Sequence, residues 1–395
     1  MTTAKKPTHA SQSFDFQTLK AAVASSPAFV LDAATVVNAL QTLDNLRQQS
    51  ACKLLYSIKA LPLSSILNMA KPVVDGFSVS SLFEARLAKE ILAGEGSIHL
   101  TTPGLRTDEW QQLAQLISHV SFNSIGQYQR FSTIAPPDLS SGLRINPKLS
   151  FASDARFNPC RPHSKLGVSI DEFCRITDIE NLHGLHFHTV FSETHFEPLL
   201  ETITKLRKRL KHRFARLQWL NLGGGYLYND INCQLFIELV RQLKADFALD
   251  VYIEPGKAIV GKAGYLVATV LDMFSSDDKT IAVLDTSVNH HPEVFEYQRQ
   301  PQLLEHDDHG NYAVLLAGCT CLAGDLFGEY RFKQPLNIGD KVTFAHIGAY
   351  SLIKANRFNG YNLPDIYLYE SAQLKRIKQY TYEDYRQQWF AADLP

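Results

Sequence analysis

Between residues 53 and 254 the chain repeats one pattern eight times: a short apolar run of strand type, most often followed by a stretch with helical spacing of its apolar residues. The runs are 53–58, 77–79, 97–100, 119–122, 142–145, 184–188, 219–222 and 251–254. Helices are predicted between several of them, at 81–92, 108–117, 196–210 and 234–243. Strands that alternate with helices pair in parallel, because each helix carries the chain back to the edge where the last strand began. Eight such units predict an α/β fold, a closed (β/α)8 barrel of the TIM type.

A chain of 395 residues exceeds what one core usually supports, so a second domain is expected. After Gly264 the helices thin out, and strand-like runs follow at 265–274, 280–284, 312–316, 341–345 and 366–369. They predict a second, mostly β domain, of sandwich or barrel-like form. The strand at 28–31 is assigned to it, because Asp32 already caps the first barrel helix, which carries Val36, Leu40 and Leu43 on one face. The expected division is a barrel of 33–264 and a β domain of 14–32 plus 265–395, opened by a short helix at 14–24. Residues 138–165, with much Pro, Ser and Asn, read as a loop excursion around the fifth strand.

Hydrophobic residues make up 45% of the chain, charged ones 20%, and the formal net charge is −1. No broad field therefore favours nucleic acid or an anionic membrane, and charge selectivity must be local. No apolar run approaches the roughly 18 residues of a membrane span. The first 13 residues are polar, with Lys5 and Lys6, unlike a secretory leader. Six scattered cysteines in a chain this long predict reduced thiols and a cytoplasmic location.

In a (β/α)8 barrel functional groups gather at the C-terminal ends of the strands, and anion sites favour the loops after strands seven and eight. Here Lys59 follows the first strand, and His186 and His188 end the sixth. Gly223-Gly224-Gly225 follows the seventh, and Glu254 closes the eighth, before Pro255-Gly256-Lys257. Taken singly each has a bland reading: a solvated strand-end cation, a core histidine, a flexible turn, a carboxylate before a proline. Together they supply an amine, a flat polarisable base, an anion-sized nest of N–H groups and a carboxylate. Those are the parts that hold and activate pyridoxal 5'-phosphate. His186 and His188 alternate, so both point to one side of the strand, which is also a metal-ligand pattern. A metal-dependent barrel hydrolase thus stays open as a rival, although the primary reading needs no metal. Cys319-Thr320-Cys321 is too closely spaced for a zinc knuckle. A non-catalytic cofactor carrier is a further rival, disfavoured by the additional β domain.

These motifs resemble the alanine-racemase-type pyridoxal-phosphate enzymes and, within them, the ornithine/diaminopimelate decarboxylase superfamily. Tyr56-Ser57-Ile58-Lys59-Ala60 resembles the cofactor-lysine motif, and Phe187-His188 the ring-stacking segment. Gly223–Gly225 and Glu254-Pro255-Gly256 resemble the phosphate and pyridine sites, with Lys257 beside them. Ile347-Gly348-Ala349-Tyr350-Ser351 resembles the motif whose tyrosine touches the phosphate. The segments from Gly318 to Asp325 and from Asp285 to Pro292 are similar to those of the carboxynorspermidine (carboxyspermidine) decarboxylase family.

The resemblance implies a homodimer with shared active sites and a small carboxylated polyamine as substrate. It also implies Cys321 as the proton donor to the reacting carbon, with Cys319 the alternative. Asp285 and Asp325, with Glu254, would face the substrate's amines. Ser78 stands where ornithine decarboxylases tend to carry an aspartate, and Lys257 where they often carry arginine. Diaminopimelate, ornithine and lysine remain alternative substrates; the first would need an arginine for its second carboxylate.

Overall fold

The computed structural model describes residues 16–152, 154–176, 179 and 181–391. The polar start at 1–13 and the first residues of the expected opening helix lie outside them. The described residues divide into two compact units, one drawn from Met1–Thr35 and Ala263–Pro395, the other from Val36–Lys262.

Seventeen strands are present among the described residues. They are β1 (Ala28–Asp32), β2 (Lys53–Ser57), β3 (Gly76–Val79), β4 (Ser97–Thr102), β5 (His119–Phe122) and β6 (Ser140–Asn146). Then come β7 (Val168–Ser169), β8 (Gly184–His186), β9 (Trp219–Asn221) and β10 (Asp250–Ile253). The rest are β11 (Gly264–Ser276), β12 (Lys279–Leu284), β13 (Tyr312–Ala317), β14 (Leu326–Phe332), β15 (Lys341–Ala345), β16 (Asp365–Glu370) and β17 (Gln373–Lys378).

In the unit of Val36–Lys262 eight strands pair in parallel in the order β2-β3-β4-β5-β6-β8-β9-β10, and β10 pairs back onto β2. The barrel is closed, as the eightfold rhythm predicts. The two-residue strand β7 lies outside the ring, against β6. The helices cover apolar faces: Leu82–Leu92 buries Leu82, Ala85, Ala88 and Leu92, and Gln234–Phe247 buries Phe236, Val240 and Leu243. Ser81 caps the first of these by accepting the Glu84 N–H.

The barrel interior is packed rather than open. Trp219 fills it opposite two glycines, where a Cβ on Gly184 would lie 1.9 Å from the indole and one on Gly142 2.4 Å from it. The indole N–H donates to the Ser140 hydroxyl at 2.8 Å. Nearby, at the N-terminal ends of the strands, the rings of His99 and His119 stack at 3.9 Å, and Lys53 pairs with Asp250 at 2.8 Å.

The other unit is one mixed sheet in the order β14-β13-β12-β11-β1-β16-β17, with β15 on the first half of β11. The early strand β1 lies in its middle, antiparallel to β11 and parallel to β16. Asp32 then caps the helix Ala33–Ser50, accepting the N–H groups of Ala34 and Thr35 at 3.1 and 3.2 Å. The opening helix, Phe16–Ala22, buries Leu19 against Val30, Val267 and Tyr367. No helix among the described residues is long and apolar enough to cross a membrane.

Candidate active site

Strand β2 ends at Ser57, and a single 3-10 turn, Ile58–Ala60, aims Lys59 into a cavity of about 460 Å³ at the C-terminal mouth of the barrel. That volume lies within the roughly 300–1,000 Å³ of small-molecule sites. Lys59, Ser78, Thr101, Arg144, His186, His188 and Glu254 share its wall. Lys59 is exposed to the cavity while the residues on either side of it, Ile58 and Ala60, are buried. Burial lowers its pKa, with Glu254 acting in the opposite sense and Arg144 in the same one. Arg144, on β6, is 9% exposed; its pKa is also lowered by burial, against the pull of Glu254.

The glycine turn differs from a simple nest. Gly223 and Gly225 have φ of +71° and +98°, and a Cβ on Gly224 would lie 2.3 Å from the Glu254 carbonyl oxygen. The turn therefore admits only glycine. The Gly223 N–H donates to Asn221 Oδ1 at 2.9 Å, and the Gly224 N–H to His188 Nδ1 at 3.1 Å. The expectation that Gly224 offers its N–H to an anion is corrected: that amide is spent on the histidine. The N–H groups of Gly225 and Gly256 have no acceptor among the described residues and remain for an anion. Because Nδ1 of His188 accepts, its proton sits on Nε2. Burial, then Lys59 and Arg144, push the pKa of His188 well below 6.5, so the ring is neutral.

Glu254 follows β10 and is 6% exposed. Its N–H donates to the Gly223 carbonyl at 2.8 Å, and Oε1 accepts from Asn221 Nδ2 at 2.8 Å. Pro255 accepts the Ser57 N–H at 3.0 Å, which ties the Glu254 loop to the strand bearing Lys59. Lys257 donates to the Ser192 hydroxyl at 3.1 Å and lies over the Phe191 ring at 5.4 Å. His186 is buried, and neither ring nitrogen has a partner among the described residues. Among the described residues no group of three or more His, Cys, Asp or Glu side chains could hold a metal ion.

The remaining expected residues lie in the β unit. Cys321 is exposed, and its N–H donates to Asn359 Oδ1 at 2.8 Å. Cys319 is partly buried, and burial, then Asp325, pushes its thiol up to about 11. Tyr350 has φ of +62°, with Lys354 over its ring at 5.9 Å. Asp285 and Asp325, expected to face the substrate's amines, both accept hydrogen bonds from within the chain. Asp325 is 3% exposed, and it accepts the Val288 N–H at 2.8 Å and the Thr320 N–H and hydroxyl at 3.1 and 2.5 Å. It is a brace that shapes the Cys319–Cys321 loop. Asp285 accepts the Thr269 N–H at 2.8 Å and the Ser26 hydroxyl.

Sequence reasoning missed Arg144, Asn221, Glu84 and Ser192. Arg144 carried a signal, a lone charge inside an apolar strand run. Asn221 carried less, an amide directly before the glycines. Glu84 faces Lys59 from the helix that follows β3, with its pKa raised by burial; nothing in its helical pattern marks it.

A family of pyridoxal-dependent decarboxylases, defined on their C-terminal sheet domain, matches residues 28–348. The carboxynorspermidine/carboxyspermidine decarboxylase of Herminiimonas arsenicoxydans is 32% identical, over 91% of this chain and 98% of that one. This chain belongs to the pyridoxal-dependent decarboxylases. Among other members, the carboxyaminopropylagmatine decarboxylase of a Synechocystis strain is 31% identical over 91% of this chain and 94% of its own. The crystal structure of the Campylobacter jejuni carboxynorspermidine decarboxylase with norspermidine superposes with a TM-score of 0.84 at 29% identity, covering 92% of this chain and all of that one. Diaminopimelate decarboxylase from Helicobacter pylori, at 20% identity and a TM-score of 0.81, shares the fold. Membership of this family displaces the metal-dependent hydrolase as a reading of His186 and His188.

Proposed function

We propose that the chain decarboxylates a carboxylated polyamine, carboxynorspermidine or carboxyspermidine, with pyridoxal 5'-phosphate held in the barrel cavity. The cofactor reading is supported by one observation above all: a lysine amine with a lowered pKa, a buried carboxylate and a neutral histidine ring line one cavity. These residues fit the group. Lys59 would hold its aldehyde carbon, Glu254 its ring nitrogen and His188 its flat face. The N–H groups of Gly225 and Gly256, with Lys257 and Ser192, would hold its phosphate.

When bound, the cofactor supplies a conjugated ring that accepts the electron pair released as CO2 departs. The chain's residues prepare that event. The lowered pKa of Lys59 favours the neutral form, which is the nucleophilic form of an amine. The Gly224 N–H fixes the plane of His188, and so the plane of whatever stacks on it. Glu254 keeps a proton at the atom it faces. Cys321, exposed at the end of its loop, delivers a proton to the carbon that has lost its carboxylate. The active unit on this reading is a homodimer, in which Cys321 serves the barrel of a second copy.

The substrate class is supported by the relatives that are 31–32% identical over nine-tenths of the chain. It is tested by CO2 release from carboxynorspermidine, carboxyspermidine and carboxyaminopropylagmatine, against diaminopimelate, ornithine and lysine. Turnover of a carboxylated polyamine at least about 100-fold above the amino acids is expected, since unpaired polar groups penalise the wrong substrate heavily. Equal or better turnover of diaminopimelate or ornithine overturns the reading. Lys59→Ala should release no CO2 from any of them.

A further inference from the structure

Asn221 is the last residue of β9, 1% exposed, and it touches two parts of the site at once. Its Oδ1 accepts the Gly223 N–H at 2.9 Å, and its Nδ2 donates to Glu254 Oε1 at 2.8 Å. The Glu254 N–H closes the ring onto the Gly223 carbonyl at 2.8 Å. The orientation of the amide follows from its partners: a backbone N–H can only donate, so it must meet the oxygen, and the nitrogen is left for the carboxylate. Aspartate would accept on both sides, serine offers one atom, and an apolar residue offers none. Asparagine is the side chain of this length that donates to one neighbour and accepts from the other at every pH.

We propose that Asn221 is a positioning residue that fastens the carboxylate of Glu254 to the glycine turn, so that one buried amide sets the ring-nitrogen end and the phosphate end of the bound cofactor together. This rests on the reading of the cavity given above. The amide holds Oε1 and thereby the carboxylate plane, which leaves the other oxygen for the cofactor. Through Gly223 it fixes the turn whose next N–H orients His188 and whose third faces the anion. The charged groups that face Glu254 are Lys59, beyond β2, and Arg144, on β6. The imidazoles of His186 and His188 line the same cavity and are neutral, their pKa values lying well below 6.5 through burial. Asn221 is the neutral donor among them.

Two substitutions separate the two duties. Asn221→Asp keeps the acceptor for Gly223 but sets an oxygen where the amide nitrogen lay, 2.8 Å from Glu254 Oε1. Two carboxylates at that distance share a proton. Asn221→Ala removes both contacts. Purified apo-protein is titrated with pyridoxal phosphate by fluorescence quenching, and the visible absorbance of the loaded protein is followed from pH 6 to 9. Asn221→Asp should bind the cofactor within about threefold of wild type, yet shift the midpoint of the absorbance titration by about one pH unit or more. Asn221→Ala should weaken binding at least about tenfold. Should Asn221→Asp fold poorly, Asn221→Asp with Glu254→Gln restores a donor–acceptor pair of opposite sense and should recover the melting temperature.

An Asn221→Asp absorbance titration that overlays wild type overturns the proposal, as does a double variant no more stable than an unstable single one. Wild-type protein that takes up no pyridoxal phosphate overturns the cofactor reading instead, so the two failures are distinct.

Discussion

The stacked pair His99 and His119 makes the barrel acid-sensitive in a way that can be calculated. Their rings lie 3.9 Å apart and 6° from parallel, beside Tyr252 and Trp219. At 3.9 Å two imidazolium charges would repel by about 4 kcal/mol at an effective dielectric of about 20. Burial first, then the Lys53 ammonium, holds His119 down from 6.5 to about 4. Burial, followed by His119, also lowers His99. A base whose folded pKa is depressed contributes stability above its unfolded pKa, and that contribution is lost as pH falls from 6.5 toward 4.

For His119 alone the loss is about 2 kcal/mol by pH 5 and about 3 kcal/mol at the end of the window. His119→Phe keeps an aromatic ring in the stack and removes the proton. Urea unfolding followed by tryptophan fluorescence reports the barrel, because Trp110 and Trp219 are buried in it while Trp389 is exposed. Histidines outside the stack titrate alike in both proteins and cancel in the difference, while His99, freed of its neighbour's charge in the variant, adds to it in the same direction. Between pH 7 and pH 5 wild type should lose about 2 kcal/mol more than the variant. Parallel curves would refute the reasoning.

Gly184→Ala drives a Cβ to 1.9 Å from the Trp219 ring and should cost about 3 kcal/mol or prevent folding, whereas Gly104→Ala, with open space around it, should change the melting temperature by under about 2 °C. Cys321→Ala should take up pyridoxal phosphate normally and release CO2 at least about 100-fold more slowly, while Cys319→Ala stays near wild type; single-turnover CO2 assays on both decide which thiol acts. Asp325→Ala leaves two N–H groups and a hydroxyl without their acceptor and should destabilise the β unit by about 2–4 kcal/mol, read as a lower melting temperature with cofactor uptake by the barrel unchanged.

The barrel was legible because its signal is redundant. Each of eight apolar runs is a strand in the ring, and the punctuation between them falls where the chain turns. The β unit was harder to read. Strand β14, Leu326–Phe332, alternates Gly328, Glu329 and Arg331 with its buried residues, and β17, Gln373–Lys378, is a polar edge strand. The helix Tyr382–Trp389 buries none of its residues, so no apolar stripe announces it. In the site, residue types at strand ends located Lys59, His188 and Glu254. Sequence could not reveal how hydrogen bonds are spent. Asp285 and Asp325 were legible as acids, whereas the donors that meet them, Ser26 and Thr320 among others, are identifiable only once the sheet is formed. Gly224 read as an anion donor for the same reason.

Strand β1 is made early, yet it lies between β11 and β16, which are translated more than 230 and 330 residues later. Its five buried residues therefore wait, both edges unpaired, while the whole barrel is synthesised. An unpaired apolar edge is a template for the wrong neighbour. Nascent chains halted anywhere between Lys262 and Asp365 should thus depend on chaperones more heavily than the finished protein.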